Sequence, residues 1–348
     1  MGSSRRMYLG TTGAGVVVLA EQGGRWRQER QGLEEHDVEC ISVAGDGSAV
    51  FAAVEGQGVY ASRDAGATWS LTLSADVRAV AVDPSDPQIV YAGTEPVHLH
   101  RSTDSGVTWE ELQGLQRLPE EVREKWWFPQ PPHDGHVKSI FVDPQDGRTI
   151  YLGLEHGGIV RTFDGGETWE DLSDGIEYLD LHEVGRDPVE TGVSYAATAR
   201  GFYRNDGAGK SWELAVEGLT RDFTHDFLVR ESGSESVLFL TTANGSPPAW
   251  VRPSKAESSI FRSTDQARTW EQVEGGLPFS SEMMAWRLAG DPIDRGRLYA
   301  VYGEEPSRLG GLDDRARGEV WSSGDCGESW DRVHEMDAAL RCLCVVAG

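Results

Sequence analysis

One phrase returns along the chain and constrains its fold more than any other feature. SRDAGATW ends at Trp69, STDSGVTW at Trp109, TFDGGETW at Trp169, STDQARTW at Trp270 and SGDCGESW at Trp330. Two worn copies, AEQGGRW and NDGAGKSW, end at Trp26 and Trp212. Successive tryptophans stand 43, 40, 60, 43, 58 and 60 residues apart. Self-similarity at such a period marks an array of supersecondary units. The short spacings give one bare unit, and the long ones give a unit carrying a loop insertion.

Two short runs rich in aromatic and β-branched residues precede each phrase, as in VFAAV then GVYAS, or TIYLGL then GIVRT. Runs of this kind broken by Gly read as strands. A further strand lies upstream in every unit, at CISVAG, RAVAVDP, KSIFVDP, HEVGRDP, HDFLVRE, WRLAGDP and RCLCVVAG. Each unit is therefore expected to be a four-stranded antiparallel sheet whose last strand starts at the phrase's Trp. Within the phrase, the Asp carboxylate can accept turn N–H groups, Gly supplies a positive φ and the Ser/Thr hydroxyl ties down backbone. The Trp is large enough to fill the gap between neighbouring sheets.

The pattern S-x-D-x-G-x-T-W resembles the Asp-box of the BNR-repeat proteins, over essentially the whole chain. That resemblance implies a β-propeller of the superfamily that includes sialidases, other glycosidases and sortilin-like receptors. Gly207 and Glu21 stand at the Asp position in the two worn copies, so looser turns are expected there; Ala267 stands where Gly is usual. The chain begins at a second strand, residues 7–12, and ends at a first strand, residues 341–348. The C-terminal strand can then complete the N-terminal blade, leaving no open sheet edge between first and last units. The expectation is one all-β domain over residues 1–348: a seven-bladed propeller of four-stranded antiparallel blades.

Charge narrows the partners. There are 57 Asp+Glu against 32 Lys+Arg, a formal net charge of −25. Such a surface repels nucleic acid and anionic membranes. Cys40, Cys326, Cys342 and Cys344 make no zinc spacing. No apolar run approaches the roughly 18 residues of a membrane span, and the N-terminus has no apolar signal region. A cytoplasmic protein is expected.

In a propeller the first strands run beside the central channel. Aligned on their apolar residues, they offer one position per blade near the channel entrance: Glu39, Arg78, Lys138, His182, His225, Trp286 and Arg341. Two residues earlier, on the same side by strand alternation, lie Asp37, Asp76, His136, Asp180, Phe223, Met284 and Ala339. Below come Ile41, Val80, Ile140, Val184, Phe227, Leu288 and Leu343. A charged mouth with an apolar floor is the expected pocket. Long connections at 111–135, 243–258 and 303–317 should crowd the same end.

Candidate roles follow from chemistry. His182, His225, His136, Asp180 and Glu39 are the acid, base and orienting groups. Arg78, Lys138 and Arg341 would bind negative charge. Trp286, Trp126, Trp127 and His156 would line a saccharide. His182, His225 and His136, with a carboxylate, are candidates for a divalent metal through N/O ligands, although no sequence-local metal motif is present. His98 and His100 read as structural. The leading expectation is an enzyme of hydrolase or lyase type acting on a small polar, anionic substrate in the axial mouth. The alternative is a non-catalytic module recognising a protein or glycan through the same face. A true sialidase is disfavoured: the Arg-Ile-Pro segment is missing, and Arg101, Arg161, Arg204 and Arg262 recur with the repeat rather than forming a triad.

Overall fold

The computed structural model describes residues 5–207, 211–250, 255–305 and 316–348. Seven four-stranded antiparallel sheets make a seven-bladed propeller. Blade 1 joins the inner strand Ala339–Ala347 to Arg5–Thr12, Val16–Gln22 and Arg25–Gly32. The inner strands of blades 2 to 7 are Val38–Val43, Val77–Val82, His136–Val142, Leu181–Arg186, Phe223–Ser232 and Met284–Gly290. Among the described residues, α-helix is confined to Glu120–Arg123, and no helix is long and apolar enough to cross a membrane.

Burial follows from stacking sheets around a ring. The middle strands Val50–Val54 of blade 2 and Gly201–Asn205 of blade 5 are buried at every residue, because each blade is covered on both faces. Outer strands such as Ser70–Ser74 are largely exposed. The ring closes as the ends of the sequence implied. Ala339–Ala347 pairs antiparallel with Arg5–Thr12, from Arg5 opposite Ala347 to Thr12 opposite Ala339. Across the seam between blades 7 and 1, Trp26 stands edge-on to Tyr299 at 5.9 Å and Arg5 binds Asp291 at 2.5 Å.

The five clear phrases form the same turn. In the copy ending at Trp109, Ser102 Oγ donates to Asp104 Oδ1 at 2.7 Å and accepts from Gly106 N at 2.7 Å. Asp104 also accepts from Thr108 N at 2.8 Å and Thr108 Oγ1 at 2.6 Å. Asp64, Asp164, Asp265 and Asp325 repeat the pattern. Gly106 has φ +79°, and a Cβ there would lie 2.6 Å from the Phe51 ring of the preceding blade. Ala267 takes the equivalent position at φ 62° and is fully buried. The worn copy before Trp26 is not loose. It shortens to a two-residue hairpin, Gly23–Gly24, both with positive φ, with Gln22 paired to Arg25. Two glycines supply the left-handed pair that a tight hairpin needs. The copy before Trp212 includes residues 208–210, which lie outside the described residues, as do 251–254 and 306–315 of two long connections.

Candidate functional site

Each of the seven first strands carries one extra residue relative to its neighbour. Those residues are Glu39, Arg78, Lys138, His182, His225 with Asp226, Trp286 and Arg341. They are the ring expected from sequence, and all lie at β-bulges. A bulge leaves a residue unpaired and re-aims its side chain. Here it turns a row of strand residues into a ring around the mouth.

Blades 2 to 5 make the charged half. Arg78 binds Glu55 at 2.7 Å, Glu95 at 2.9 Å and Asp76 at 3.2 Å. Lys138 binds Glu155 at 3.2 Å, and the same carboxylate meets His136 Nε2 at 3.0 Å. Burial alone would raise Glu155, but Lys138 and His136 hold it well below the usual carboxylate range. Glu39 differs. Burial again opposes its charge, and Lys138, Arg341 and Arg78 outweigh that to keep it ionised. Yet among the described residues Glu39 has neither a hydrogen-bond donor nor a cation in ion-pair contact. Asp180 is the opposite case. Burial and Glu155 raise its pKa against the pull of His182 and His156. Its Oδ1 is buried without a hydrogen bond, 3.6 Å from His182 Nε2, and Oδ2 is 3.4 Å from His156 Nε2.

Blades 6, 7 and 1 make the aromatic half. His182 and His225 stand 5.0 Å apart, with Phe223 4.8 Å from His182. Trp286 meets His225 at 4.9 Å and Trp250 at 5.8 Å. The Arg341 guanidinium lies 4.4 Å over the Trp286 ring and is held at 2.6 Å by Glu305. Phe223, Met284 and Ala339 are buried here, so the polar tier expected two residues before the ring is present in blades 2 to 5 alone. His182 Nδ1 donates to Thr224 O at 2.7 Å, and His225 Nδ1 donates to Trp286 O at 3.1 Å. Carbonyls accept only, so Nδ1 carries a proton in both rings. Burial, His182 and Lys138 push His225 well below the ordinary histidine range, which keeps it neutral.

The floor corrects the sequence expectation. Ile41, Val80, Val184, Leu288 and Leu343 are buried between blades. The extra residue of each bulge breaks the alternation on which the apolar floor was argued. Beneath the mouth, Arg287 of blade 7 reaches Glu183 of blade 5 at 2.5 Å and Asp226 of blade 6 at 3.1 Å. Burial drives the Asp226 carboxyl up to about 7, opposed by Arg287.

Other expectations are redrawn. Among the described residues no three His, Cys, Asp or Glu groups are placed to hold a metal ion, His182, His225 and His136 included. The Nδ1 atoms of His182 and His225 are occupied by backbone, and His136 is engaged by Glu155. Arg78, Lys138 and Arg341 each face a carboxylate, so none is free for an anion. Trp126 packs into the core of blades 3 and 4. Trp127 is exposed and stacks on His133 of its own loop at 5.2 Å. Their neighbour Phe128 makes the loop's contact with the mouth, 5.0 Å from His156 and 5.8 Å from His136. The partners Glu55, Glu95, Glu155 and Glu305 were not selected from sequence. The signal was available: an acid closes the second strand in VFAAVE, YAGTE and YLGLE, and VYGEE repeats it.

No family model matches the chain. Its curated relatives are xyloglucanases. One from Paenibacillus sp is 25% identical over 301 residues, covering 75% of this chain and 27% of that protein. One from Hypocrea jecorina (strain QM6a) is 25% identical over 267 residues, covering 74% and 26%. The chain thus spans about a quarter of the length of these relatives. Among solved structures, the GH74 enzyme of Niastella koreensis has TM-score 0.63 at 16% identity, over 85% of this chain and 45% of that one. A structure of YCF48 bound to D1 peptide has TM-score 0.55 at 16% identity, over 99% and 96%. At these identities the structural likeness is one of fold.

Proposed function

We propose that the chain is a hydrolase acting on a glycan at the axial mouth. The observation that carries this reading is the contrast between Glu39 and Asp180, two carboxylates of one mouth pushed in opposite directions. Environments that split two carboxylates in this way assign an acid and a base. Asp180 donates its proton to the glycosidic oxygen as the bond from that oxygen to the anomeric carbon breaks. Glu39 takes a proton from a water whose oxygen bonds to the anomeric carbon, or attacks that carbon itself. The separation of the two groups on the bound sugar decides between inversion and retention. His182 and His156, whose Nε2 atoms lie beside Asp180, stabilise the carboxylate left after proton donation. The xyloglucanase relatives support a glycan as substrate. We further infer that the five turns are Asp-box turns. The test is release of reducing ends from a panel of plant β-glucans, xyloglucan included. Asp180→Asn and Glu39→Gln should abolish it while the circular dichroism melt is unchanged. Equal activity in both variants would end the proposal.

A second reading, a non-catalytic module that holds a peptide or glycan, has its own support. The fold matches YCF48 over nearly the full length of both chains, but less than half of the Niastella enzyme. Binding without bond cleavage in the same panel would favour it.

A further inference from the structure

We propose that the outer strand of blade 1, Arg25–Gly32, docks an acidic, extended segment of another polypeptide by strand addition. Blade 1 departs from the repeat in three ways. The first is charge. Its four strands hold six arginines and two acids, Glu21 and Glu29, so it is basic in a chain of formal net charge −25. Directly after the repeat tryptophan, blades 3 to 7 place an acid: Glu110, Glu170, Glu213, Glu271 and Asp331. Blade 1 places Arg27 there. The second is length. The outer strands of blades 3 to 6 have two residues each, whereas that of blade 1 has eight. The third is pairing. Arg5 is held by Asp291 and Glu21, Arg6 and Arg30 by Glu29, and Arg341 by Glu305. Arg25 and Arg27 are exposed, and among the described residues their side chains have neither a hydrogen bond nor an ion pair.

These features meet on one sheet edge. The strand ends the sheet of blade 1, so one side of its backbone faces no other strand of the described residues. A free edge offers N–H and C=O groups to an added strand, and two residues are too few to template one. Trp26, buried edge-on to Tyr299, anchors the strand against blade 7. From Arg25 to Gln28 its pairing with Val16–Gln22 is regular, and the bulge comes after, at Glu29. Arg25 and Arg27 stand two apart and share a face. A strand with acids at alternate positions sets them against both guanidiniums, and opposite charges across a strand pair are favourable. The same charges tell against a second copy. Pairing two blade 1 edges brings arginine to arginine. The outer strand of blade 2, Ser70–Ser74, carries no acid, and in that of blade 7 Arg332 already engages Glu335 at 3.2 Å.

Fluorescence anisotropy of the intact protein with a fluorescein-labelled decapeptide of alternating Glu and Thr is the test. The peptide should bind, and its affinity should fall as salt is raised through physiological strength. Arg25→Glu/Arg27→Glu should weaken binding at least tenfold. A central proline in the peptide, which removes a backbone donor but no charge, should do the same. Should the double variant fail to fold, Arg25→Gln/Arg27→Gln and the salt series read the same dependence. No binding of the peptide, or equal binding by parent and variant, overturns the inference. So does equal binding of the proline peptide, because charge alone then holds it. Self-association of the parent without peptide binding, lost in the double variant, makes a second copy the occupant and overturns it. An oligothymidylate of equal charge bound more tightly than the peptide overturns it as well. Neither substitution touches the mouth, so glycan cleavage there stands or falls separately.

Discussion

The two ends of the ring solve opposite problems. At one end, the acids and hydroxyls of five turns bond internally: each Asp takes the N–H and hydroxyl of the same following Thr or Ser, and the Ser/Thr before it takes a turn N–H. At the other end, seven bulged residues of four chemical kinds meet, and several polar atoms are left without partners. Repetition of one internally bonded acid–hydroxyl network is what a structural element needs. Variety with unmet demand is what a ligand site needs. The difference teaches that in this fold the repeat marks stability and the departures from it mark chemistry.

The strongest attempt to break this contrast removes the chemistry without touching stability. Asp180→Asn and Glu39→Gln should lower turnover by roughly 10²–10⁴-fold, the range for losing an acid–base group, with Tm equal to or above the parent's. The wild-type rate should fall as pH drops through the depressed pKa of Glu39, since that group must be ionised. It should also fall as pH rises through the elevated pKa of Asp180, which must hold its proton. Steady-state kinetics between pH 3 and 9 would check both limbs, and Asp180→Asn should erase the upper one.

The next effect lies beneath the mouth. Arg287→Met leaves Glu183 and the buried Asp226 without their cation. A broken, fully dry pair costs about 3–5 kcal/mol. Arg287 is 40% exposed, so roughly 2 kcal/mol is expected after allowing for hydration. Asp226 has a folded pKa near 7, above its unfolded value of about 3.9. Its contribution is fully present below the unfolded value and is lost as pH rises through 7. Losing the cation raises that pKa further. The variant should therefore recover part of its stability at pH 5, and a deficit equal at pH 5 and pH 8 by urea melts would count against the pairing.

The repeated turns should respond in the converse way. Asp164→Ala should lower Tm by a few degrees and leave activity per folded molecule intact. Asp64, Asp104 and Asp164 are pulled down to about 2, chiefly by the hydroxyl of the following Thr. Depressed carboxylates stabilise above their unfolded values and lose that contribution as pH falls through the folded ones. Parental stability should thus drain between about pH 4 and pH 2. Loss of activity without loss of Tm in Asp164→Ala would erase the division between the two ends.

The smallest effects sharpen the turn itself. Gly106→Ala forces a Cβ to 2.6 Å from Phe51 and should cost about 1–3 kcal/mol. Ala267→Gly relieves a left-handed Ala but gives up a buried methyl, so a change within about 0.5 kcal/mol is expected. Chemical melts of the pair would show whether the Gly is required by packing or by φ.

The ring and its closure were legible because hydrophobic alternation and the tryptophan period are local signals. The mouth positions were legible for the same reason, since aligning repeats aligns bulges even when bulges go unrecognised. The floor was not. Whether Arg287 lies between blades or under the mouth depends on one extra residue that no composition rule shows. The roles within the mouth were hidden too: an unpaired Glu39 and an Arg78 held by three carboxylates look alike until their partners are in place. Trp126 and Trp127 were read by type as a sugar platform, whereas packing sends one into the core and the other onto His133.

The imidazoles of the mouth also tie the ring together. His182 and His225 hold backbone carbonyls of the following blade's inner strand, as Ser42 holds Val82 N and Asp226 holds Leu288 N. Innermost strands have a free edge, and these side chains are its lacing. A residue that both laces two blades and faces a ligand has two masters, so exchanging it to suit a new ligand also slackens the frame. Glu55, Glu95 and Glu155 sit at strand ends away from that lacing. Drift in ligand preference should therefore run through these acids first, with the histidines the last to change.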